Sequence, residues 1–257
     1  MTDTEATSGA RLEIDGPVAR ITLMRPATHN ALEAGDVAAI HDYLGRLEAD
    51  GSVRVLILTG TGDQTFCAGA SLTELESGEL TEEMFEALAS RLADFPLPTI
   101  CALNGSAYGG GVELALCCDF RIGVSGSRFS IPAARLGLCY PLAGLTRFVA
   151  RLGLAPAQRI FLAAEELEAS DMLRVGFLTQ LVPRGELTAA TAQLAERLAG
   201  HAPLAVRAMK RILNQAASGA VDVAEAEARI AECASSQDLR EGLRAKREGR
   251  PPTFEGR

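Results

Sequence analysis

The segment that decides the fold is Asn104-Gly-Ser-Ala-Tyr-Gly-Gly-Gly-Val-Glu-Leu-Ala-Leu-Cys-Cys-Asp119. An apolar run from Thr99 to Leu103 precedes it and is typical of a buried strand. Three consecutive glycines then begin a helix whose first turn carries Glu113. Glycine lets the backbone approach a ligand closely, and the first N–H groups of a helix have no partner inside it. Such groups can stabilise an oxygen that gains charge, with the carboxylate of Glu113 beside them as a general acid or base.

A second segment upstream shows the same order of features. The apolar run Val53–Leu58 predicts a strand, and it leads into the small-residue turn Thr59-Gly-Thr-Gly-Asp-Gln-Thr-Phe-Cys-Ala-Gly-Ala-Ser-Leu72. Two such turns could each donate one N–H group to the same oxygen. The alternative explanation is structural, because a helix dipole favours glutamate in the first turn and glycine at a strand–helix junction often serves packing alone.

Four segments in this order and at these separations resemble one known family. They are Arg25–Leu32 (an Arg-Pro-x-x-x-Asn-Ala-Leu turn), Leu58–Leu72 (with Ser71 where aspartate is usual), Asn104–Asp119 and the tail Asp238–Gly256. Together they resemble the crotonase superfamily, also called the enoyl-CoA hydratase/isomerase family. The resemblance extends from about Leu12 to Gly256.

The resemblance implies an α/β fold, a crotonase-like spiral of strand–strand–helix turns with a C-terminal helical segment. We expect a disordered N-terminus over residues 1–10, the spiral core over residues 11–197 and a helical oligomerisation segment over residues 198–257. Alternating strand and helix patterns agree with an α/β fold. The family assembles as trimers or dimers of trimers, so we expect a homotrimer or homohexamer. An apolar stripe that includes Leu187, Leu194 and Leu198 predicts a helix that buries one face, either on this chain or on a neighbouring subunit. The resemblance favours the neighbouring subunit.

The resemblance also implies an enzyme that acts on acyl-CoA thioesters and stabilises a thioester enolate in an oxyanion hole. Glu113 would be the acid or base, and the N–H groups of Ala70 and Gly110 would form the hole. Coenzyme A enters as part of the substrate, so no further cofactor is expected. Basic residues near Arg250 either bind the 3′-phosphoadenosine group or form a solvated tail. Substrate contacts are expected from Ala68, Gly69, Leu72, Gly109, Ala133, Tyr140, Arg25, Lys246 and Arg250.

One departure from the family pattern bears on the reaction. Hydratases of this family usually carry a second glutamate after a proline, and here Ala133 follows Pro132. Hydration needs one group to activate water and one to deliver a proton, and alanine does neither. We expect an enoyl-CoA hydratase, with three alternatives: an isomerase or a decarboxylase that uses a single carboxylate, or a non-catalytic acyl-CoA-binding protein. Tyr140 or Arg135 could replace the missing acid, although Arg135 could equally be structural.

Composition narrows the function classes. The chain has 257 residues and a net charge of −8, which argues against general nucleic-acid binding. It shows neither a signal-peptide pattern nor an apolar run of membrane-spanning length, so we expect a cytoplasmic protein with no membrane partner. The six cysteines form no C-x-x-C motif and are expected to be reduced. No metal site is expected, because His29, His41 and His201 are scattered.

Local patterns predict the remaining elements. A hairpin joins Arg11–Ile14 to Val18–Leu23, Asn30 caps a helix that reaches about Ala49, and a helix runs from Thr81 to about Phe95. The second half is rich in alanine. Its predicted elements are strands Phe120–Val124 and Thr179–Val182 and helices Pro156–Ala164, Ser170–Val175, Glu186–Ala199, Pro203–Ala217, Val221–Ala234 and Ser236–Arg247.

Overall fold

The strands form two sheets in the computed structural model, which describes residues 3–7 and 9–257. In chain order the strands are β1 (Asp3–Thr7), β2 (Ala10–Asp15), β3 (Val18–Leu23), β4 (Val55–Gly60), β5 (Thr65–Cys67), β6 (Thr99–Leu103), β7 (Ser106–Tyr108), β8 (Phe120–Val124), β9 (Arg128–Ser130), β10 (Leu167–Glu168) and β11 (Gln180–Val182). The seven-stranded sheet has the order β1-β2-β3-β4-β6-β8-β11, and the four-stranded sheet has the order β10-β9-β7-β5.

Helices follow most of the strand pairs and fill the last third of the chain. They are α1 (Ala34–Ala49), α2 (Leu72–Ser77), α3 (Glu82–Ala93), α4 (Gly110–Cys117), α5 (Leu142–Leu152), α6 (Leu154–Phe161), α7 (Ala169–Arg174), α8 (Leu187–Ala199), α9 (Pro203–Ser218), α10 (Val223–Ser235) and α11 (Gln237–Glu248). None of the helices in the described residues is long and apolar enough to cross a membrane.

The large sheet separates two apolar cores. Strands β3, β4, β6, β8 and β11 are parallel, and their apolar runs are buried because helices cover both faces. Alternate residues point to opposite faces, so Val55 and Ile57 join the core under α8. Leu187 belongs to this core, so the apolar stripe of α8 packs on the sheet of its own chain and not on a neighbouring subunit as expected. Leu56 and Leu58 join the larger core with side chains of α1, α3 and α4. The sheet therefore holds α4 on a rigid apolar base.

The small sheet is built from the strands that come directly after those of the large sheet. β5 follows β4, β7 follows β6 and β9 follows β8, and these three short strands run parallel to one another. This arrangement is the predicted repetition of strand–strand–helix turns. Because β5 and β7 are neighbours, the chain segments that leave them, at Ala68 and at Gly109, emerge side by side.

Asn30 has a different role from the one predicted. The helix begins at Ala34, with Glu33 as its N-cap, rather than at Asn30. Asn30 has a φ of 55° and is buried, and its Nδ2 donates to the carbonyl oxygens of Thr61 and Thr65, at 3.0 and 2.9 Å. Its amide thus ties the turn after β3 to the loop between β4 and β5, which is a tertiary contact that a capping pattern does not show.

The N-terminal prediction also needs correction. Residues 1–10 were expected to be disordered, whereas Asp3–Thr7 forms β1, which pairs antiparallel with β2, and Ala10 begins β2. For Met1, Thr2 and Ser8 the prediction lies outside the described residues. The division into a core over residues 11–197 and a helical segment over residues 198–257 stays a prediction.

Lys210 connects the C-terminal helices to the sheet. Its Nζ donates to Oδ2 of Asp119, at 2.6 Å, and to the carbonyl oxygen of Leu97, at 2.8 Å. The same Asp119 oxygen accepts from the backbone N–H of Thr99 at 2.8 Å. The Lys210 side chain is 9% exposed, and burial lowers its pKa against the opposing effect of Asp119. This pair therefore joins α9 to the ends of β6 and α4.

Replacement of Lys210 by methionine should destabilise the fold, because Asp119 would keep its burial and lose its cation. We expect the free energy of unfolding to fall by about 1.5–3 kcal/mol, the range for hydrogen bonds to charged groups, in urea denaturation. The control is Arg211→Met, because Arg211 is the neighbour of Lys210 in the chain and pairs with Glu225 at an exposed position. This variant should change the free energy of unfolding by less than about 1 kcal/mol. Equal losses in both variants would contradict the structural role of Lys210.

Candidate active site

A cavity of about 220 Å³ opens where the segments after β5 and β7 meet. It lies at the N-terminal end of α4, and α3 and the segment from Ile131 to Pro141 complete its walls. The structure brings most of the predicted site residues to this one cavity. Those that line it are Ala68, Ala70, Leu72, Gly109, Gly110, Glu113, Ala133 and Tyr140.

Gly69 lets the two glycine-rich turns come into contact. Its φ is +92°, and a Cβ atom at this position would lie 2.7 Å from the backbone nitrogen of Gly110. Any side chain here would therefore collide with the start of α4. Gly69 does not itself line the cavity; it allows Ala70 and Gly110 to do so.

The backbone around Ala70 is fixed by a bridge to Leu32. The Leu32 N–H donates to the carbonyl oxygen of Gly69 and the Ser71 N–H donates to that of Leu32, each at 2.8 Å. In a parallel bridge of this kind the N–H of Ala70 itself points away from Leu32. Gly110 is the first residue of α4, where a backbone N–H has no partner inside the helix. Two N–H donors thus belong to residues of the same cavity wall.

Glu113 is buried in the first turn of α4 and has two side-chain partners. The Tyr140 hydroxyl donates to Oε2 at 2.7 Å, and Nη1 of Arg147 donates to Oε1 in an ion pair. Burial raises the pKa of Glu113, although the Tyr140 hydrogen bond and the Arg147 charge both act to lower it. The carboxylate is therefore desolvated and held from two sides, which is the environment of a functional acid or base.

The tyrosine that holds Glu113 is itself held by aromatic rings. The Tyr140 ring lies 4.9 Å from that of Phe161 and 6.5 Å from that of Phe148, between centroids. Burial is the main reason that the pKa of Tyr140 is raised well above its ordinary value, so its hydroxyl keeps its proton. Tyr140 was predicted to contact substrate, and its bond to Glu113 is an additional role.

Sequence reasoning missed Arg147 and the helix that carries it. The segment Leu142–Leu152 was not predicted as a helix, and no pattern links Arg147 to a glutamate 34 positions earlier. It also missed Glu82, Phe85 and Glu86 of α3, which line the cavity opposite α4. The only indirect signal was the regular apolar spacing of α3.

Ala133 occupies the position where hydratases of the family usually carry their second glutamate, so this position has no carboxylate. It is the first residue of a short 3₁₀ helix after Pro132, and its methyl group lines the cavity. Arg135, considered as a replacement, is exposed and donates from Nη2 to the carbonyl oxygen of Ala164 at 2.7 Å. Arg135 therefore contacts the backbone instead of the cavity.

Three cationic residues predicted to bind substrate lie away from the cavity. Arg25 donates from Nε to Asp36 at 2.9 Å, and Arg250 pairs with Glu241 at 2.6 Å. Lys246 is exposed on α11. In the part of the chain that the structure describes, none of these three residues lines the cavity. Their contacts with substrate stay predictions.

Comparison with known proteins shows the family of this chain. The sequence model of the family described as enoyl-CoA hydratase/isomerase matches residues 13–257. The chain belongs to this family. The resemblance inferred from four short segments is thereby confirmed, and the family acts on acyl-CoA thioesters.

Individual relatives agree over nearly the full length. The chain is 33% identical over 242 residues to the short-chain-enoyl-CoA hydratase of Clostridium acetobutylicum, covering 91% of this chain and 92% of that protein. It is 32% identical over 242 residues to the 2,3-dehydroadipyl-CoA hydratase of Escherichia coli, covering 92% and 94%. The crystal structure of an enoyl-CoA hydratase from Bacillus anthracis superposes with a TM-score of 0.89 at 28% identity, covering 97% and 100% of the two chains. The predicted crotonase-like fold is confirmed, and the chain is an enzyme of this family.

Replacement of Gly69 by alanine should damage the site directly, because the new methyl group would push Gly110 away. We expect weaker binding of a CoA thioester in calorimetry. The free energy of unfolding should fall by more than the roughly 1–2 kcal/mol that a positive φ alone costs. Gly78→Ala is the matched control, since Gly78 has a φ of +80° with nothing near its Cβ position. It should lose stability and keep binding; if Gly69→Ala also keeps binding, the two turns do not form the ligand site.

Proposed function

We propose that this protein is an enoyl-CoA hydratase, which adds water across the carbon–carbon double bond of an acyl-CoA thioester. The observation that carries the proposal is the buried carboxylate of Glu113 in the same cavity as the first N–H group of α4. Both relatives described above are named hydratases, which supports the same reaction.

In the proposed complex the thioester oxygen accepts hydrogen bonds from the N–H groups of Ala70 and Gly110. Attack on the double bond pushes electrons onto this oxygen, and two fixed donors stabilise the resulting enolate. The N-terminal end of α4 adds a partial positive charge at the same point. The close approach of Gly69 to Gly110 supports two donors that act on one acceptor.

Glu113 carries out both proton transfers in this proposal. It takes a proton from water while the water oxygen bonds to C3 of the substrate, and the C2–C3 π electrons move onto the thioester as an enolate. The same proton then returns from Glu113 to C2, so that water is added in full and Glu113 is again ionised. One carboxylate suffices because it first accepts and then donates, which is compatible with alanine at position 133.

The absence of a second acid also favours a second candidate reaction. Isomerisation moves a proton from one carbon to another and needs only one base, and decarboxylation needs only the donors that hold the enolate. A panel of crotonyl-CoA, a 3-enoyl-CoA and a malonyl-type CoA, offered to one preparation, separates these reactions. Binding of all three without turnover would indicate a non-catalytic acyl-CoA-binding protein.

Replacement of Glu113 by glutamine should abolish most of the turnover and leave the fold intact. General acid–base catalysis contributes roughly 10²–10⁴-fold, so kcat should fall by at least about 100-fold with crotonyl-CoA. The control is Glu83→Gln on the exposed side of α3, which should retain the wild-type rate. Wild-type turnover in Glu113→Gln would remove this residue from the mechanism.

We also propose a closed homotrimer or homohexamer that works in the cytoplasm. Large apolar side chains remain exposed on α9 and α10, including Leu213, Val223 and Ile230, and a subunit contact would bury them. A neighbouring subunit could also bring exposed cations such as Lys246 to the outer part of a bound coenzyme A. Free thiols at all six cysteines are compatible with a reducing compartment.

Light scattering at micromolar concentration should give three or six times the mass of the 27.1 kDa chain. The charged variant Leu213→Glu should dissociate the assembly if α9 lies at the contact, because a carboxylate in an apolar interface is costly. The control is the exposed change Glu83→Gln on α3, outside the two helices assigned to the contact, and it should leave the mass unchanged. A monomeric wild-type protein would contradict the proposed assembly.

A further inference from the structure

We infer that Arg147 is a positioning residue, which orients the Glu113 carboxylate and keeps it ionised as a base. The inference rests on the proposed function, because it assigns to Glu113 the proton transfers described above. Arg147 itself does not line the cavity, so it acts on the reaction only through Glu113.

The contacts of Arg147 fix its guanidinium between two helices. Nη1 donates to Oε1 of Glu113 on α4, and Nη2 donates to the hydroxyl of Ser90 on α3 at 3.1 Å. The side chains of Arg147 and Glu113 are 12% and 5% exposed. Because Tyr140 donates to Oε2, each oxygen of the carboxylate has its own donor, and the two hydrogen bonds together favour one orientation of the Glu113 carboxylate.

The approach of α5 to Glu113 is built into the backbone. A Cβ atom on Gly144 would lie 3.0 Å from Oε1 of Glu113 and 2.6 Å from the ring of Tyr140. Glycine at this position lets the first turn of α5 pass close to the carboxylate, and Arg147 follows in the same helix. The ion pair therefore depends on the docking of α5 rather than on a flexible surface side chain.

Four ionisable groups act on Glu113 from the elements packed around it. Glu86 on α3 and Cys117 on α4 interact with it electrostatically, and Glu86 raises its pKa; Tyr140 and Arg147 lower it. Without Arg147 the carboxylate would stay buried beside Glu86. It would lose the positive charge that opposes the effects of burial and of Glu86 on its pKa. The pKa of Glu113 must then rise, and its ionised fraction at a given pH must fall.

Arg151 offers a matched control one turn further along α5. Its Nη1 donates to the carbonyl oxygens of Leu116 and Cys118, the latter at 2.7 Å, at the C-terminal end of α4. Both arginines thus connect α5 to α4 through guanidinium hydrogen bonds, and only Arg147 contacts the Glu113 carboxylate. Loss of Arg151 tests what loosening of α5 does by itself.

The experiment compares Arg147→Gln, Arg147→Lys and Arg151→Gln with the wild-type protein. The pH dependence of kcat/KM is measured with crotonyl-CoA, and the Glu113 carboxyl is titrated by ¹³C NMR, with its signal assigned through Glu113→Gln. For Arg147→Gln we expect the acidic limb of the profile and the NMR midpoint to move upward together, by about one pH unit or more. Arg147→Lys keeps a positive charge, so both midpoints should shift less than in Arg147→Gln. Arg151→Gln should leave both midpoints unmoved.

Three outcomes overturn the inference. Arg147→Gln could lower the rate with neither midpoint moved, which would make Arg147 a purely structural residue. Arg151→Gln could move the midpoints by the same amount, which would attribute the effect to loosening of α5. The NMR midpoint could also fall in Arg147→Gln. A wild-type protein that turns over no CoA thioester would instead contradict the proposed function, and the NMR titration would still test the ion pair.

Discussion

The placement of α4 is the constraint on which the rest of the structure depends. The helix must leave its first N–H groups open to the cavity while its other end is buried in the core, where free carbonyl groups are costly. Arg121 and Arg151 solve this problem, since both donate to the carbonyl oxygens of Leu116 and Cys118. Burial lowers the pKa of Arg121 to about 10, so it still carries its charge at neutral pH and complements the negative end of the helix dipole.

Burial of α4 raises the pKa of Glu113 and also makes its ionised form costly to hold in the fold. A carboxylate in the first turn of this largely buried helix is poorly solvated, so the protein supplies a hydroxyl and a guanidinium as partners. Two helices that follow α4 in the chain are needed for this, because Tyr140 is packed against Phe161 of α6 and Arg147 belongs to α5. The site is therefore complete only when the second half of the chain has folded onto the first.

Local patterns in the sequence were enough to predict every strand of the large sheet except β1, the glycine-opened helix and Glu113 in its first turn. These features are set by short apolar runs and by backbone positions that only glycine fits, and both are visible in neighbouring residues. The family resemblance added the cavity residues Ala70 and Gly110. The missed features depend on contacts between distant segments. Asn30 bonds a loop 31 and 35 residues away, and Arg147 reaches Glu113 across 34 residues. The strands of the small sheet have only two or three residues each, too few for a periodic pattern.

Alanine at position 133 and the ion pair at Glu113 belong to one physical argument. In the proposed hydration with a single carboxylate, the proton taken from water is the proton delivered to carbon, so Glu113 would pass through its neutral form within each cycle. A cation alone would make that form too unfavourable, and burial alone would make it too stable at the start. In the structure burial raises the pKa of Glu113 while Tyr140 and Arg147 act to lower it, so the surroundings of the carboxyl oppose both extremes.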